Sequence, residues 1–270
     1  MFDGGKGNGP NATNGLEQCG WSPSSGKFYQ NVPAVNSTNP GKDDVPGAIA
    51  VINPKNMKVE QLFSIPLEDC AGPQGMAIGP NDQILEGCNA AGPNGSRNTV
   101  VVSAKNGSIL AVLQDLGGAD EVWFNEGDGH YIIPSCNTAC RTVPTSPFVL
   151  TGPEVLGMVD ANTLLRDQTV FVASQNSDTN VTSGNPRTIH SVAGDPNNKQ
   201  IILPIPACTS ATACGNVPHF ATSLCDKRGT GITVVGSPST ATGCIAILAA
   251  TLNNDVSSVA QERGADDNQQ

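Results

Sequence analysis

The chain is poor in charge. Only 14% of its 270 residues are Asp, Glu, Lys or Arg, against roughly 25% in an ordinary globular domain, and aromatic residues make up 4%. Positive charge is scarcest, with 14 Lys and Arg against 24 Asp and Glu and a net charge of −10. A surface of that sign repels polyanions, which excludes nucleic acid as a natural partner. No apolar run approaches the roughly 18–20 residues that a membrane-crossing helix needs, and the opening MFDGGK is not a signal peptide. A G-x-S-x-G elbow, a phosphate-binding P-loop and a C-x-x-C-H haem attachment are all missing. The 30 Gly and 20 Pro residues argue against a helical protein.

What the chain does have is a repeat. Four segments share one pattern of a polar residue, a short apolar stretch, a turn of Pro, Asn, Asp or Gly, and an apolar β run: EQCGWSPSSGKFYQNV from Glu17, QGMAIGPNDQILEGC from Gln74, DEVWFNEGDGHYIIPSC from Asp120 and HSVAGDPNNKQIILPIP from His190. Each is followed by a loop and a third apolar run, at Gly47–Asn53, Asn98–Ala104, Glu154–Asp160 and Gly243–Ala249. Behind the first three lies a fourth run, MKVEQLF, SILAVLQ and LRDQTVFV. Short, β-branched runs bounded by turn residues read as strands. A recurring unit of four antiparallel strands is the mark of β-propeller blades, and an ordinary sandwich lacks it. The expected fold is therefore all-β, with blades at about 16–67, 68–115, 116–175 and 186–251, the last showing only three clear strands. Residues 1–15 read as a flexible lead-in and residues 252–270 as a disordered tail.

The blades GLEQCGWSPSSGKFYQNVP, AGPQGMAIGPNDQILEGCN, GGADEVWFNEGDGHYIIPS and IHSVAGDPNNKQIILPIP resemble those of YVTN/NHL-type propellers and, more distantly, gluconolactonase-like ones. The resemblance covers about residues 15–250. Members of these families generally have six to eight blades, so the chain is similar to the C-terminal part of one. The resemblance thus implies an N-terminally truncated ring, lacking two or three blades together with any signal peptide. Propellers of this kind include binders, scaffolds and hydrolases, so the fold by itself leaves the chemistry open.

Aligning the turns puts Glu17, Gln74, Asp120 and His190 in register, one polar residue per blade at the mouth of the central channel. Carboxylate and imidazole groups can bind Ca²⁺, Mn²⁺ or Zn²⁺ or move protons, whereas a polar ring at a propeller mouth can equally just satisfy hydrogen bonds. Gluconolactonase-like propellers carry an E-G-P-x-W-type motif at an inner-strand start, with a divalent metal held nearby. Glu17 and Trp21 are similar to it, but Gln18 and Cys19 replace its Gly and Pro. On that alternative reading Glu17 and Asp120 would hold the metal, Asp120 and His190 would be catalytic, and the substrate would be a lactone or ester. His190 also falls where YVTN-type repeats often carry His, which favours the noncatalytic reading. Strand alternation turns Glu121 away from Asp120, Trp21 and Trp123 are expected to pack between blades, and His130 is expected at an exposed turn.

Nine cysteines are many and odd in number. On the blade map they gather near the polar ring, beside the long loops Val32–Pro46, Asn89–Arg97, Asn137–Pro153 and Ala207–Ser239. Cys136 with Cys140, Cys208 with Cys214, Cys225 with Cys244, and Cys70 with Cys88 are the pairings that would pin these loops, leaving Cys19 over. The alternative for one loop is zinc on Cys208, Cys214, His219 and Cys225, at spacings unlike common zinc modules. Disulfides need an oxidising compartment, so a periplasmic or secreted protein is expected. Its expected role is to bind a protein, a peptide or a small polar ligand at the channel mouth.

Overall fold

A computed structural model of the chain describes residues 10–95, 97–114, 116–135, 155–171, 191–205, 232–235 and 244–249. Among these residues there is no α-helix, and a single 3-10 turn lies at Pro80–Asp82. Sixteen strands form four antiparallel sheets. Blade 1 holds β1 (Cys19–Ser22), β2 (Lys27–Val32), β3 (Gly47–Asn53) and β4 (Lys58–Ile65). Blade 2 holds β5 (Pro73–Ile78), β6 (Gln83–Cys88), β7 (Thr99–Ser103) and β8 (Ile109–Leu113). Blade 3 holds β9 (Trp123–Asn125), β10 (His130–Ser135), β11 (Val155–Asp160) and β12 (Arg166–Phe171). Blade 4 holds β13 (Ala193–Asp195), β14 (Gln200–Ile205), β15 (Ile232–Val235) and β16 (Cys244–Ala249). The fold is a partial β-propeller. Its inner strands pack in chain order, β1 on β5, β5 on β9 and β9 on β13.

Blade 4 departs from the expected three strands. Its order is β13-β14-β16-β15, so a fourth strand does complete the sheet, but it is drawn from the stretch read as a loop between the second and third strands. The run Ile232–Val235 pairs antiparallel with the edge of β16. Its β-branched residues suit an edge strand, and its place before the third strand hid it from the repeat. Residues 11 to 13, part of the stretch read as a lead-in, pair with the segment after β2. Ala12 bridges Val35, Thr13 N donates to Ala34 O at 3.1 Å, and Asn36 N donates to Asn11 O at 2.9 Å.

Stacking sets the pattern of the middle strands. Tyr29, Ile84 and Val100 belong to a core between blades 1 and 2, Leu85, Val101 and Tyr131 to one between blades 2 and 3, and Ile132, Leu156 and Ile201 to one between blades 3 and 4. Adjacent residues such as Ile84 and Leu85 thus serve opposite neighbours, because strand side chains alternate. A strand covered on both faces reads as an unbroken apolar run, as TVVVS in β7 does. Pro134 and Pro204 are tolerated in second strands because the short inner strands β9 and β13 end their pairing at Ile132 and Ile202, so no ladder bond is lost on that side.

Six hairpins repeat a single turn, whereas the one between β5 and β6 carries the 3-10 turn Pro80–Asp82. Gly26 N reaches Ser22 O and Gly129 N reaches Asn125 O, both at 2.9 Å, while Gly107 N reaches Ser103 O at 2.8 Å. The fourth residue past the acceptor takes a left-handed backbone: Gly26, Met57, Gly107, Gly129, Leu164 and Lys199 all have positive φ. Asn125 and Asp160 brace their turns through side-chain oxygens, which accept from Gly127 N and Asn162 N. Third and fourth strands also share a bulge, two residues before the end of β3, β7 and β11.

The Cys70–Cys88 disulfide forms, closing a separation of 18 residues between the crossing from blade 1 to blade 2 and the end of β6. Cys136, Cys140, Cys208, Cys214 and Cys225 lie outside the described residues, as does the side chain of Cys244. Cys19 is free and exposed. Replacing Cys70 and Cys88 together by Ala is expected to lower unfolding free energy in urea by about 3 kcal/mol, the loop-closure value for a loop of this length. A second measurement separates turn strain from blade packing. Gly107 and Gly129 share a φ of 75°, but a Cβ on Gly107 would lie 2.5 Å from Phe63 Cγ whereas one on Gly129 meets nothing within 4 Å. Gly129→Ala should cost about 1 kcal/mol, and Gly107→Ala roughly 1–3 kcal/mol more, because the buried Phe63 ring cannot yield.

Candidate functional site

The inner strands of blades 1 to 3 begin at one end of the arc, and there they build a pocket. It has a volume of about 290 Å³ and is lined by Glu17, Gln18, Gln74, Asn89, Asp120 and Glu121. All six are polar and three are acidic. Glu17 and Gln18 lead into β1, Gln74 is the second residue of β5, Asn89 follows β6, and Asp120 and Glu121 precede β9. Three members of the expected ring, Glu17, Gln74 and Asp120, therefore line one cavity, while His190 lies outside the described residues.

Gln18 and Asn89, which spacing alone did not single out, hold this end together. Gln18 N donates to Gln74 O at 3.1 Å, and Gln18 Oε1 accepts from Met76 N at 2.7 Å and from Val122 N at 3.5 Å. One side chain of blade 1 thus caps backbone donors of blades 2 and 3. It is also one of the two residues that depart from the gluconolactonase-like motif, and a Gly there has no group with which to make the bridge. Asn89 Nδ2 donates to Gln74 Oε1 at 2.5 Å, and Asn89 N donates to Gly72 O at 3.0 Å. The neighbouring disulfide anchors it. Arg97 Nη1 donates to Asn89 O at 2.6 Å, with burial holding its guanidinium pKa below the ordinary value.

Glu121 lines the pocket beside Asp120 instead of pointing away. The alternation rule does not reach it, because β9 starts only at Trp123 and residues 120 to 122 cross over blade 2 first. Gly75 and Gly87 permit that crossing: a Cβ on Gly75 would lie 2.9 Å from Asp120 O, and one on Gly87 2.7 Å from Ala119 O. Trp21 and Trp123 are both exposed, contrary to packing between blades. Each sits on a short inner strand. Trp123 meets Gly194 on β13, and Trp21 stacks on Phe28 of its own blade. His130, at the far end of blade 3, is half-buried and bonded, its Nε2 2.7 Å from Asp167 Oδ2 and its Nδ1 2.9 Å from Asp128 O. Burial opposes its protonation, but the Asp167 carboxylate and then Asp128 outweigh burial and raise its pKa above 6.5.

Among the described residues no three His, Cys, Asp or Glu side chains are disposed to hold an ion. Gln18 Oε1 and Gln74 Oε1 are already engaged by protein donors. The described residues therefore do not fit the divalent cation, whether Ca²⁺, Mn²⁺ or Zn²⁺, that the gluconolactonase-like resemblance implies.

A second polar group lies between blades 1 and 2. Asn31 and Glu86 are both fully buried, on facing sides of the interface. Asn31 Nδ2 donates to Gln74 O at 3.0 Å and Gly75 O at 3.2 Å, so it supports the strand that carries Gln74. Asn31 Oδ1 and both carboxyl oxygens of Glu86 have no hydrogen-bond partner. Burial drives the Glu86 pKa well above 4.5. Burial thus favours the protonated over the ionised form of Glu86.

No protein-family model matches the chain, and no curated protein matches it. Solved structures do. The chain is similar to hydrazine synthase of Kuenenia stuttgartiensis, with 8% identity over 73% of this chain and 44% of that one at a TM-score of 0.49. It is similar to a luciferin-regenerating enzyme, with 12% identity over 86% and 61% at 0.43, and to the WD40 repeats of RRP9, with 11% identity over 70% and 44% at 0.40. The chain spans 44%, 61% and 44% of the length of these structures. The likeness carries nothing about activity, and the propeller assignment stands on the chain's own four sheets.

Glu86→Gln tests the buried acid. Because the folded-state pKa is raised, the folded chain keeps a proton that the unfolded chain releases above about pH 4.5. Wild-type stability therefore falls as pH rises from that value through the folded pKa. The Gln variant should unfold at a higher temperature than wild type at pH 8, and the gap should shrink towards pH 4.

Proposed function

We propose that this protein is a noncatalytic, extracytoplasmic propeller module of the YVTN/NHL kind that binds a small polar ligand or a peptide end through its channel mouth. The observation that carries the proposal is the pocket itself, in which six polar residues from three successive blades converge. Three carboxylates in a chain of net charge −10 favour a positively charged group. The amides of Gln18, Gln74 and Asn89 add hydrogen-bonding groups beside them, and a guanidinium matches carboxylates with paired, charge-assisted bonds. His190 is proposed as the contribution of blade 4 to the same ring. The Cys70–Cys88 bridge supports an oxidising compartment.

Arginine amide and, as a control, acetyl-glutamate amide are the probes for calorimetric titration. Arginine amide should bind saturably and the control should not. Asp120→Asn should weaken binding about tenfold, which corresponds to about 1.4 kcal/mol, while Asp195→Asn, in the far turn of blade 4, should leave it unchanged. Equal response to both probes, or an Asp120→Asn variant that binds like wild type, sinks the proposal.

A further inference from the structure

A polar pair joins blades 1 and 2 at a place where the other described interfaces are apolar. Aligned by their hairpins, Asn31 corresponds to Gly87, Pro134 and Pro204, and Glu86 to Gln30, Ile133 and Leu203. The equivalents of the pair are therefore Gly87 with Ile133 between blades 2 and 3, and Pro134 with Leu203 between blades 3 and 4. Stacking requires no hydrogen bond there, and Glu86 is the one buried ionisable carboxyl, amine, guanidine or imidazole among the described residues. The pair reaches the pocket through the start of β5. The register of β5 on β6 shifts between Pro73 and Gly75, which leaves Gln74 without a partner in the ladder, and irregularities of this kind re-aim a side chain. The Gln74 carbonyl is held from blade 1 instead, by Gln18 N at 3.1 Å and by Asn31 Nδ2 at 3.0 Å. The other hydrogen of Asn31 Nδ2 goes to Gly75 O at 3.2 Å. An amide nitrogen has only two hydrogens to give. Neither is left for Glu86, and both Glu86 carboxyl oxygens, like Asn31 Oδ1, are without a partner among the described residues.

We propose that Asn31 is a positioning residue for the pocket and Glu86 its proton switch, so that the mouth holds its ligand while Glu86 is protonated and loosens when Glu86 ionises. The proposal rests on the reading of the pocket as the binding site. A protonated carboxyl has an O–H to give, and Asn31 Oδ1 is the open acceptor on the facing strand, so both amide hydrogens stay on Gln74 O and Gly75 O. A buried carboxylate needs donors instead, and the side chain whose amide favours the ionised form of Glu86 is Asn31. Drawing Nδ2 towards Glu86 takes it off the irregular start of β5 and frees Gln74 to shift. Asn89 shifts with it, because its Nδ2 is bonded to Gln74 Oε1 at 2.5 Å. Two of the six pocket residues thus answer to one buried proton. No charge packed beside Glu86 competes. β5 sets Met76 and β7 sets Val100 opposite it, and the titratable side chains of the surrounding core are Tyr29, whose hydroxyl donates to Ala104 O at 3.0 Å, and the bridged Cys70 and Cys88. The crossing before Cys70 carries Glu68, which is exposed, and Asp69, which is half-buried, while Glu17, Asp120 and Glu121 belong to the pocket. Burial moves the titration of Glu86 upward from the ordinary carboxylate range.

Calorimetric titration with acetyl-arginine amide tests the switch between about pH 5.5 and about pH 9, where the guanidinium stays charged and ordinary carboxylates stay ionised. The wild-type Kd should rise at least about tenfold across that range, and titrations in buffers of different ionisation heat should show proton uptake on binding. Glu86→Gln should bind at about pH 9 as tightly as at about pH 5.5, with no proton taken up. Asn31→Ala, which lacks the brace, should bind weakly at every pH. Without any ligand, wild type should show the infrared band of a protonated carboxyl at about pH 5.5, fading as pH rises and absent from Glu86→Gln. The proton uptake and the infrared band are read on wild type, so they decide the matter even where a variant does not fold. A probe that binds at no pH overturns the pocket reading and the switch with it. A probe that binds wild type equally across the range, without proton uptake, overturns the switch and leaves the pocket standing. A pH dependence that survives in Glu86→Gln overturns the assignment to Glu86, and one that survives in Asn31→Ala overturns the positioning role of Asn31.

Discussion

Face-to-face stacking of sheets is the constraint on which the rest of the structure depends. Each blade is too thin to have a core of its own, so its middle strands must be apolar on both sides and must find a neighbour on both sides. The adjacent pairs Ile84 with Leu85 and Tyr131 with Ile132 divide their burial between two different interfaces. That demand explains the shortage of charge along the chain, since a strand covered twice has no face left for Lys or Glu. It also explains the cost of Glu86, which occupies a stacking position equivalent to Ile133 and Leu203, where burial raises its pKa.

Stacking also creates the candidate site. Inner strands that pack in chain order bring their starts together, so residues more than forty positions apart along the chain line one cavity. The polar groups there work partly as fasteners. Gln18 joins three blades, Asn89 ties β6 to Gln74, and Asn31 holds the backbone of Gln74 and Gly75 from below. Gly75 and Gly87 admit the segment that carries Asp120 and Glu121, and any side chain in their place would push it away. Binding and blade cohesion are therefore coupled at this end of the molecule, whereas the hairpin turns at the other end serve the fold alone.

The repeat was legible wherever chain order and spatial order agree. Glu17, Gln74 and Asp120 could be placed in register because each lies near the start of an inner strand that a four-residue turn joins to the second strand. Ile232–Val235 escaped because it precedes the strand outside which it pairs. Glu121 was misplaced by applying strand alternation to residues that cross between blades before a strand begins. The two tryptophans were expected in a core because their residue type favours one, yet short inner strands leave them at the rim. His130 looked like an exposed turn residue, and the carboxylate that engages it comes from β12, two strands away in the sheet.

By itself the sequence determined the class, the blade unit and the sign of the net charge. Those properties follow from local chemistry: turn residues at regular offsets, apolar runs of strand length, and the balance of Asp and Glu over Lys and Arg. Only the tertiary structure decided that Gln18 reaches across to Met76 and Val122, that Glu121 joins Asp120 at the pocket, and that Glu86 is fully buried. Each of these depends on what another blade places within a few ångströms, and a blade's neighbours are set by stacking rather than by adjacency along the chain.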